Sequence, residues 1–83
     1  MTESQIQKKR IKELESQGYY VIRLVKTNKN GIPDLIAIPP NAPVLFSEIK
    51  RPTTGPSKLQ EFRIKELKSK GFKVEIYDGQ IRD

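Results

Sequence analysis

Two stretches of the chain place apolar residues at the three-to-four-residue spacing of a helix with one buried face. The first, residues 2–17, starts at a Thr with a Gln three positions later and stops before Gly18. The second, residues 57–70, starts at a Ser with a Gln three positions later and stops before Gly71. These capping-box starts and glycine stops predict two helices. The residues expected on their buried sides are Ile6, Ile11 and Leu14 in the first helix, and Leu59, Phe62 and Leu67 in the second.

Runs rich in β-branched and aromatic residues lie outside the two helices and predict four strands. The turn pair Asp78-Gly79 follows the last run and predicts a short return strand over 80–82. The resulting order is αβββαβ in one domain spanning 1–83, an α+β sandwich of one sheet with helices. The four runs are 19–25, 33–38, 44–50 and 72–77.

The second and third strands predict a tight hairpin, because the breaker-rich segment 39–43 joins them. If the turn centres on the middle of that segment, Asp34 faces Glu48 across the pair. Opposed residues hold their Cβ atoms roughly 4.5–5.5 Å apart, and like charges there are destabilising. Lys50 falls on the same face as Glu48, since side chains alternate along a strand. The grouping therefore predicts a divalent-cation site with an ammonium group beside it, as in a nuclease.

The strand face with Asp34 and Glu48 is the more apolar one in sequence, and we expect both faces to be covered, with the acids at a cleft where the sheet ends. A one-residue shift in pairing would move Asp34 to the other face. Taken singly, Asp34 is an ordinary turn residue, and Glu48-Ile49-Lys50 resembles any solvated strand with alternating charges. The first face also carries Ile36, Ile38, Val44 and Phe46, and the opposite face carries Leu35, Ala37, Leu45, Ser47 and Ile49.

The composition of the chain limits the partners and the reactions that it can have. Sixteen Lys and Arg against ten Asp and Glu give a net charge of +6, which favours a polyanionic partner such as nucleic acid. The chain has no Cys and no His, which excludes thiol nucleophiles, zinc-thiolate sites and imidazole acid–base catalysis. Any reaction must therefore use carboxylates, Lys, Tyr or a hard cation with oxygen ligands.

The sequence gives no sign of a membrane or an export signal. No apolar run approaches the ~20 residues that span a bilayer. The first residues lack the basic start and apolar stretch of a signal peptide. We therefore expect a cytoplasmic protein that does not contact membranes.

The chain resembles the PD-(D/E)xK nuclease superfamily, and more closely its VRR-Nuc branch. The resemblance rests on Gly31–Ile36, on Glu48-Ile49-Lys50 and on the helix entry Gly55–Gln60, and it extends over nearly the whole chain. It implies a restriction-endonuclease-like core, in which helices flank a mixed central sheet. It also implies a DNA endonuclease that hydrolyses phosphodiester bonds with Mg²⁺ or Mn²⁺.

The resemblance assigns roles to the central motif. Asp34 and Glu48 would bind the cation, and the Ile49 backbone carbonyl would complete its shell. Lys50 would orient the attacking water or stabilise the charge that develops on the phosphate.

Two further residues match family positions but have a second interpretation. Glu3 would add an acid from the first helix to the metal site, although an acid in a first turn also complements the helix dipole. Gln60 matches a Gln that follows the motif in VRR-Nuc members, although it is also the reciprocal member of the Ser57 capping box.

The partner implied by the resemblance is DNA. Stand-alone members of the superfamily include Holliday-junction resolvases that act as homodimers, so we expect a homodimer and branched DNA. Two other function classes remain open, namely a non-catalytic nucleic-acid-binding module and an interaction domain on the same fold. Tyr19 and Tyr20 could stack on bases or belong to the core. The basic residues considered for phosphate contact are Lys8, Lys9, Arg10, Lys26, Lys29, Arg51 and Lys58, with Arg51 and Lys58 ranked first because they flank the motif.

Overall fold

The computed structural model describes residues 1–82, in which two helices pack on a five-stranded sheet. The order confirms the predicted αβββαβ arrangement, and the short return strand after Asp78-Gly79 is also present. The elements are α1 (Glu3–Ser16), β1 (Tyr20–Arg23), β2 (Leu35–Ile38), β3 (Leu45–Ile49), α2 (Lys58–Ser69), β4 (Lys73–Tyr77) and β5 (Ile81–Arg82).

The sheet is mixed, as predicted. Its strands follow the order β1-β2-β3-β4-β5, with β3 and β4 parallel and the other neighbours antiparallel. A parallel pair needs a crossover connection, and α2 supplies it between β3 and β4. We call the end of the sheet where β3 and β4 finish, at Ile49 and Tyr77, the upper end.

The hairpin register agrees with the prediction. Ile36 pairs with Phe46, and its neighbours Leu35 and Ala37 pair with Ser47 and Leu45. Continued by one residue, this register sets Asp34 opposite Glu48 at the upper end. The two acids therefore project from the same face, because alternation assigns both to the face of Ile36 and Phe46.

Both helix starts are capping boxes, as predicted. Thr2 Oγ1 accepts the Gln5 backbone N–H, and the Gln5 side chain accepts the Thr2 backbone N–H at 2.8 Å. The same reciprocal pair forms between Ser57 and Gln60. Each pair satisfies two backbone donors that a helix start leaves without partners, so each helix begins at a defined residue.

The core lies between α1 and the sheet. Ile6, Leu35, Ile49 and Tyr77 form one buried cluster, and each is at most 2% exposed. Because Ile49 and Tyr77 end their strands, this cluster sets the start of α1 against the upper end of the sheet.

The two faces of the hairpin, both expected to be covered, are covered unequally. Leu35, Ala37, Ser47 and Ile49 on the face opposite Asp34 are buried, whereas Ile38 on the face of Asp34 is exposed. The reason is the placement of the helices. α1 contacts β1 and β3 on the face opposite Asp34. On the face of Asp34, α2 packs mainly against β4 and leaves β1 and β2 uncovered.

The predicted buried side of α2 is wrong in part. Leu59 is 44% and Phe62 is 54% exposed, whereas Leu67 is half-buried. Within Lys58–Ser69, all of which the structure describes, no residue is fully buried. Gln60 instead points toward the sheet, where it contacts a polar group.

Among residues 1–82, no helix has the length and apolar composition that a membrane crossing requires.

Candidate functional site

The two acids of the predicted site meet at the upper end of the hairpin. Asp34 directly precedes β2, and its backbone carbonyl accepts the Leu24 N–H at 2.8 Å, which extends the pairing with β1 by one residue. Its Oδ2 accepts the Ile49 backbone N–H at 2.8 Å. The Asp34 carboxylate is therefore bonded to β3, which is the strand that carries Glu48.

Glu48 is the most buried acid of the site, with 2% of its surface exposed. Its Oε2 accepts a hydrogen bond from Gln60 Nε2 at 3.0 Å. Lys50 Nζ lies 3.6 Å from the same oxygen. A carboxylate in this position loses its water shell, and the amide and the ammonium group compensate for that loss only in part.

The electrostatics of the acidic pair are unfavourable without a cation. Burial, followed by the nearby Asp34 carboxylate, raises the pKa of Glu48 to about 8, although Lys50 acts in the opposite direction. Two carboxylates that share one site behave in this way, because both cannot ionise at low cost. A bound cation would remove that repulsion, so the pair is suited to hold positive charge.

The backbone beside the pair leaves one oxygen open. Continuing the hairpin register sets Ile49 opposite Pro33. The Ile49 N–H points toward Asp34, and in a strand the carbonyl of the same residue points to the same side. Pro33 has no N–H to donate to that carbonyl. The Ile49 oxygen therefore lies beside the acidic pair without a ladder donor. This effect of Pro33 follows from the predicted register, although the sequence expectations did not include it.

The donor set fits a hard cation. Within residues 1–82, no three Asp, Glu, His or Cys side chains cluster as metal ligands. The protein thus offers two carboxylates and the Ile49 carbonyl. Mg²⁺ is commonly bound by one or two carboxylates while it keeps several waters or takes substrate phosphate oxygens. Two acids are therefore enough for this ion.

Glu3 does not join the acidic pair. It is exposed in the first turn of α1, and Ile6 of α1 packs with Leu35 and Ile49 on the opposite face of the sheet from Glu48. The absence of a three-acid cluster within residues 1–82 agrees with this position. The structure thus places Glu3 in the first turn, where its charge complements the helix dipole, and its role as a metal ligand stays a prediction.

Gln60 has both of the roles considered for it. Its Oε1 accepts the Ser57 backbone N–H at 2.8 Å, and its Nε2 donates to Glu48. One side chain therefore starts α2 and contacts the buried acid.

Most of the predicted phosphate contacts lie at the upper end. Lys26 and Lys29 are exposed in the loop from β1 to β2, which ends at Asp34. Arg51 follows β3 and Lys58 begins α2, and both are exposed. Lys9 is exposed on α1, and its Nζ donates to the carbonyl of Gly79 in the turn after β4. These cations surround the end of the sheet where Asp34 and Glu48 meet.

The structure corrects the predicted role of Arg10. It is buried under α1, and its Nε and Nη2 each lie 2.7 Å from a Glu75 oxygen. Ser47 Oγ donates to the same carboxylate at 2.6 Å. A guanidinium group in this bidentate pair has no free face for phosphate. The prediction that Arg10 contacts DNA is therefore wrong, since its charge balances Glu75.

Comparison with known proteins identifies the family. The sequence model of the VRR-NUC domain matches residues 1–80. A solved structure described as a VRR_NUC domain is similar to the chain, with a TM-score of 0.80, 28% identity, and coverage of 89% of this chain and 81% of that one. No curated protein matches. The chain belongs to the VRR-NUC domain family and is a nuclease-type domain.

Proposed function

We propose that the protein is a metal-dependent DNA endonuclease that hydrolyses phosphodiester bonds, with Mg²⁺ or Mn²⁺ as cofactor. The observation that supports this most directly is the pairing of half-buried Asp34 with buried Glu48, with Lys50 Nζ 3.6 Å from the Glu48 carboxylate. Asp34, Glu48 and the Ile49 carbonyl would hold the cation. When bound, the cation would polarise a phosphate oxygen and make hydroxide available near neutral pH.

The chain's own residues would complete the reaction centre. Lys50 has its charge beside the acids, where it can offset the negative charge that develops on the attacked phosphate. Gln60 holds Glu48 in one orientation, so the carboxylate loses little freedom when it binds the cation. No residue needs to form a covalent bond with the substrate, which agrees with the absence of Cys and His.

We propose DNA as the substrate because the chain has a net charge of +6 and exposes basic residues around the acidic pair. Lys26, Lys29, Arg51 and Lys58 would bind backbone phosphates and so hold a strand across the site. Such contacts fix the register of the nucleic acid without reading its sequence.

We further propose that the protein acts as a homodimer on branched DNA, such as a Holliday junction. A chain of 83 residues has a small surface with which to bind a duplex. Two copies would double the basic surface and bring two acidic pairs to two strands.

A cleavage assay tests the enzyme. Purified protein is incubated with labelled four-way junction, flap and linear duplex in Mg²⁺, in Mn²⁺ and in chelator. We expect nicks in the metals alone, most on the branched substrates, and at least a hundredfold less product with Lys50→Ala. Binding without nicks in either metal would overturn the proposal in favour of a DNA-binding module.

Sedimentation under cleavage conditions tests the dimer. We expect a species of twice the chain mass, and paired nicks on opposite strands of the junction. A stable monomer that cuts at full rate would overturn paired cutting and leave the hydrolytic activity intact.

A further inference from the structure

The loop that leads into Asp34 contacts α2 at two points. We call residues 24–33 the β1–β2 loop. Arg63 Nε donates to the Asn30 backbone carbonyl at 2.8 Å. One residue later, a Cβ built on Gly31 would lie 2.8 Å from Leu59 Cγ and 3.3 Å from the Leu59 carbonyl carbon. Gly31 has a φ of +79°, so both the backbone conformation and the close contact require glycine.

The two contacts join the elements that hold the two acids. The β1–β2 loop ends at Asp34, whereas α2 carries Gln60, which is bonded to Glu48. Arg63 lies on α2 one turn after Leu59. The β2–β3 pairing and the Asp34–Ile49 bond already hold the two acids together, and the contact of the loop with this helix adds a second restraint.

Arg63 has two further contacts, both within α2: its guanidinium carbon lies 5.4 Å from the centroid of the Phe62 ring, and it pairs with Glu66. Its Nη1 lies 2.9 Å from Glu66 Oε1, an ion pair within one turn of α2. Ion pairs between residues one turn apart on a helix contribute little to stability. The Arg63 side chain is 17% exposed against 42% for Glu66, so the guanidinium is more covered than its partner. The bond to Asn30 uses a different nitrogen, so the two interactions can be separated by substitution.

We propose that Arg63 is a positioning residue, which holds the β1–β2 loop against α2 so that Asp34 and Glu48 keep the spacing that a divalent cation requires. This rests on the proposed function, because the cation is part of that proposal. Groups that orient metal ligands without touching the metal typically change its affinity 10- to 100-fold.

Mn²⁺ alone is the probe for the first measurement. Calorimetric titration of the full chain should show an approximately tenfold higher Kd for Arg63→Ala. Arg63→Lys, which keeps one donor for the Asn30 carbonyl, should recover part of this loss. Glu66→Gln is the matched control, since it removes the ion pair and leaves the bond to Asn30, and it should bind as the wild type does.

Amide hydrogen exchange without metal gives a readout that does not depend on activity. Arg63→Ala should speed exchange at Gly31 and Ile32 more than at the core strand β3, and Glu66→Gln should not. Gly31→Ala, which forces the loop from Leu59, should reproduce the pattern. If Arg63→Ala shows unchanged exchange at Gly31 while the wild type binds Mn²⁺, the positioning role is overturned. A wild type that neither binds Mn²⁺ nor cuts DNA, with exchange altered as expected, would instead overturn the proposed function and with it the purpose of the contact.

Discussion

Gln60 Nε2 donates to Glu48 Oε2 at 3.0 Å, while Gln60 Oε1 accepts the backbone N–H of Ser57. The first bond occupies a buried carboxylate, and the second satisfies a donor at the start of α2. Because both bonds use the two ends of one amide, the helix cap fixes which end faces the acid. Gln60 thus gives Glu48 a neutral donor in a set direction.

Gln60→Glu should separate these two roles. A glutamate at this position still accepts the Ser57 N–H, so the cap is kept. It removes the donor to Glu48 and adds a third acid, which disfavours the ionised form of Glu48. We expect at least tenfold slower cleavage at neutral pH in Mg²⁺, with the unfolding free energy within about 1 kcal/mol of the wild type.

Ser57→Ala is its control. The Ser57 side chain caps the helix by accepting the Gln60 N–H, and its loss should lower the unfolding free energy by about 1 kcal/mol. Cleavage well below the melting temperature should stay near the wild-type rate. Wild-type activity in Gln60→Glu together with a loss in Ser57→Ala would mean that Gln60 acts through the cap alone.

The pH dependence of stability should report the strain at Glu48. Its pKa rises from 4.5 to about 8, mainly through burial. The folded protein therefore keeps a proton that the unfolded chain releases, so this contribution is present below about pH 4.5 and is lost as pH rises through about 8. At about 1.36 kcal/mol per pKa unit, the loss across that window is on the order of 3–5 kcal/mol.

Urea unfolding in chelator at several pH values measures this slope. Glu48→Gln, which cannot ionise, should show a much flatter dependence between pH 5 and pH 8. An equal slope in the two proteins would place the proton elsewhere and would argue against a strained acid at this position.

The hairpin register could be predicted because its cause is local. Segment 39–43 fixes the turn, and alternation along the two strands then places Asp34 and Glu48 on one face. The same reasoning could not show which face α1 covers, since that depends on contacts between distant elements. For that reason the unequal covering of the two faces was not predicted.

Arg10 shows the second limit of sequence reasoning. It occupies a helix between two other basic positions and reads as a surface cation. Its partner Glu75 lies 65 positions away, on a strand whose neighbours become known only with the sheet order. A buried ion pair of this span leaves no local signal, whereas the capping boxes of Thr2 and Ser57 depend on residues three positions apart.

Asp34→Asn should preserve the fold and abolish cleavage. Its amide oxygen can still accept the Ile49 N–H, and the repulsion with Glu48 is gone. In chelator we expect a melting temperature equal to or above that of the wild type, with at least a hundredfold less product in Mg²⁺. Asp34→Ala leaves the Ile49 N–H without this acceptor and should lower the unfolding free energy by about 1–3 kcal/mol. A fall in Asp34→Asn as large as that in Asp34→Ala would show that the charge itself serves the scaffold.

Arg10→Ala should destabilise the protein strongly. It leaves Glu75 buried beside Ser47 without a cation, which typically costs about 3–5 kcal/mol. Lys12→Ala, an exposed substitution on the same helix, should stay within about 0.5 kcal/mol. The double variant Arg10→Met with Glu75→Leu should recover most of the loss, because no buried charge remains. Denaturant unfolding of the four proteins checks this. If Arg10→Ala had wild-type stability but bound DNA less tightly, Arg10 would instead be a phosphate contact.

Lys58 and Lys68 allow a matched test of the DNA-binding surface, because both are exposed lysines of α2. Lys58 begins the helix at the upper end, and Lys68 lies in its last turn, about 15 Å along the axis at the helical rise per residue. If DNA crosses the upper end, Lys58→Ala should lower the slope of log affinity against log salt by about one, since one phosphate contact is lost. Lys68→Ala should leave the slope unchanged, although it removes the same net charge.

Anisotropy titrations of a labelled junction from low to physiological salt, in Ca²⁺ to limit cleavage, would measure both slopes. Equal changes in the two variants would mean that net charge, rather than a surface around Asp34 and Glu48, determines how the protein binds nucleic acid.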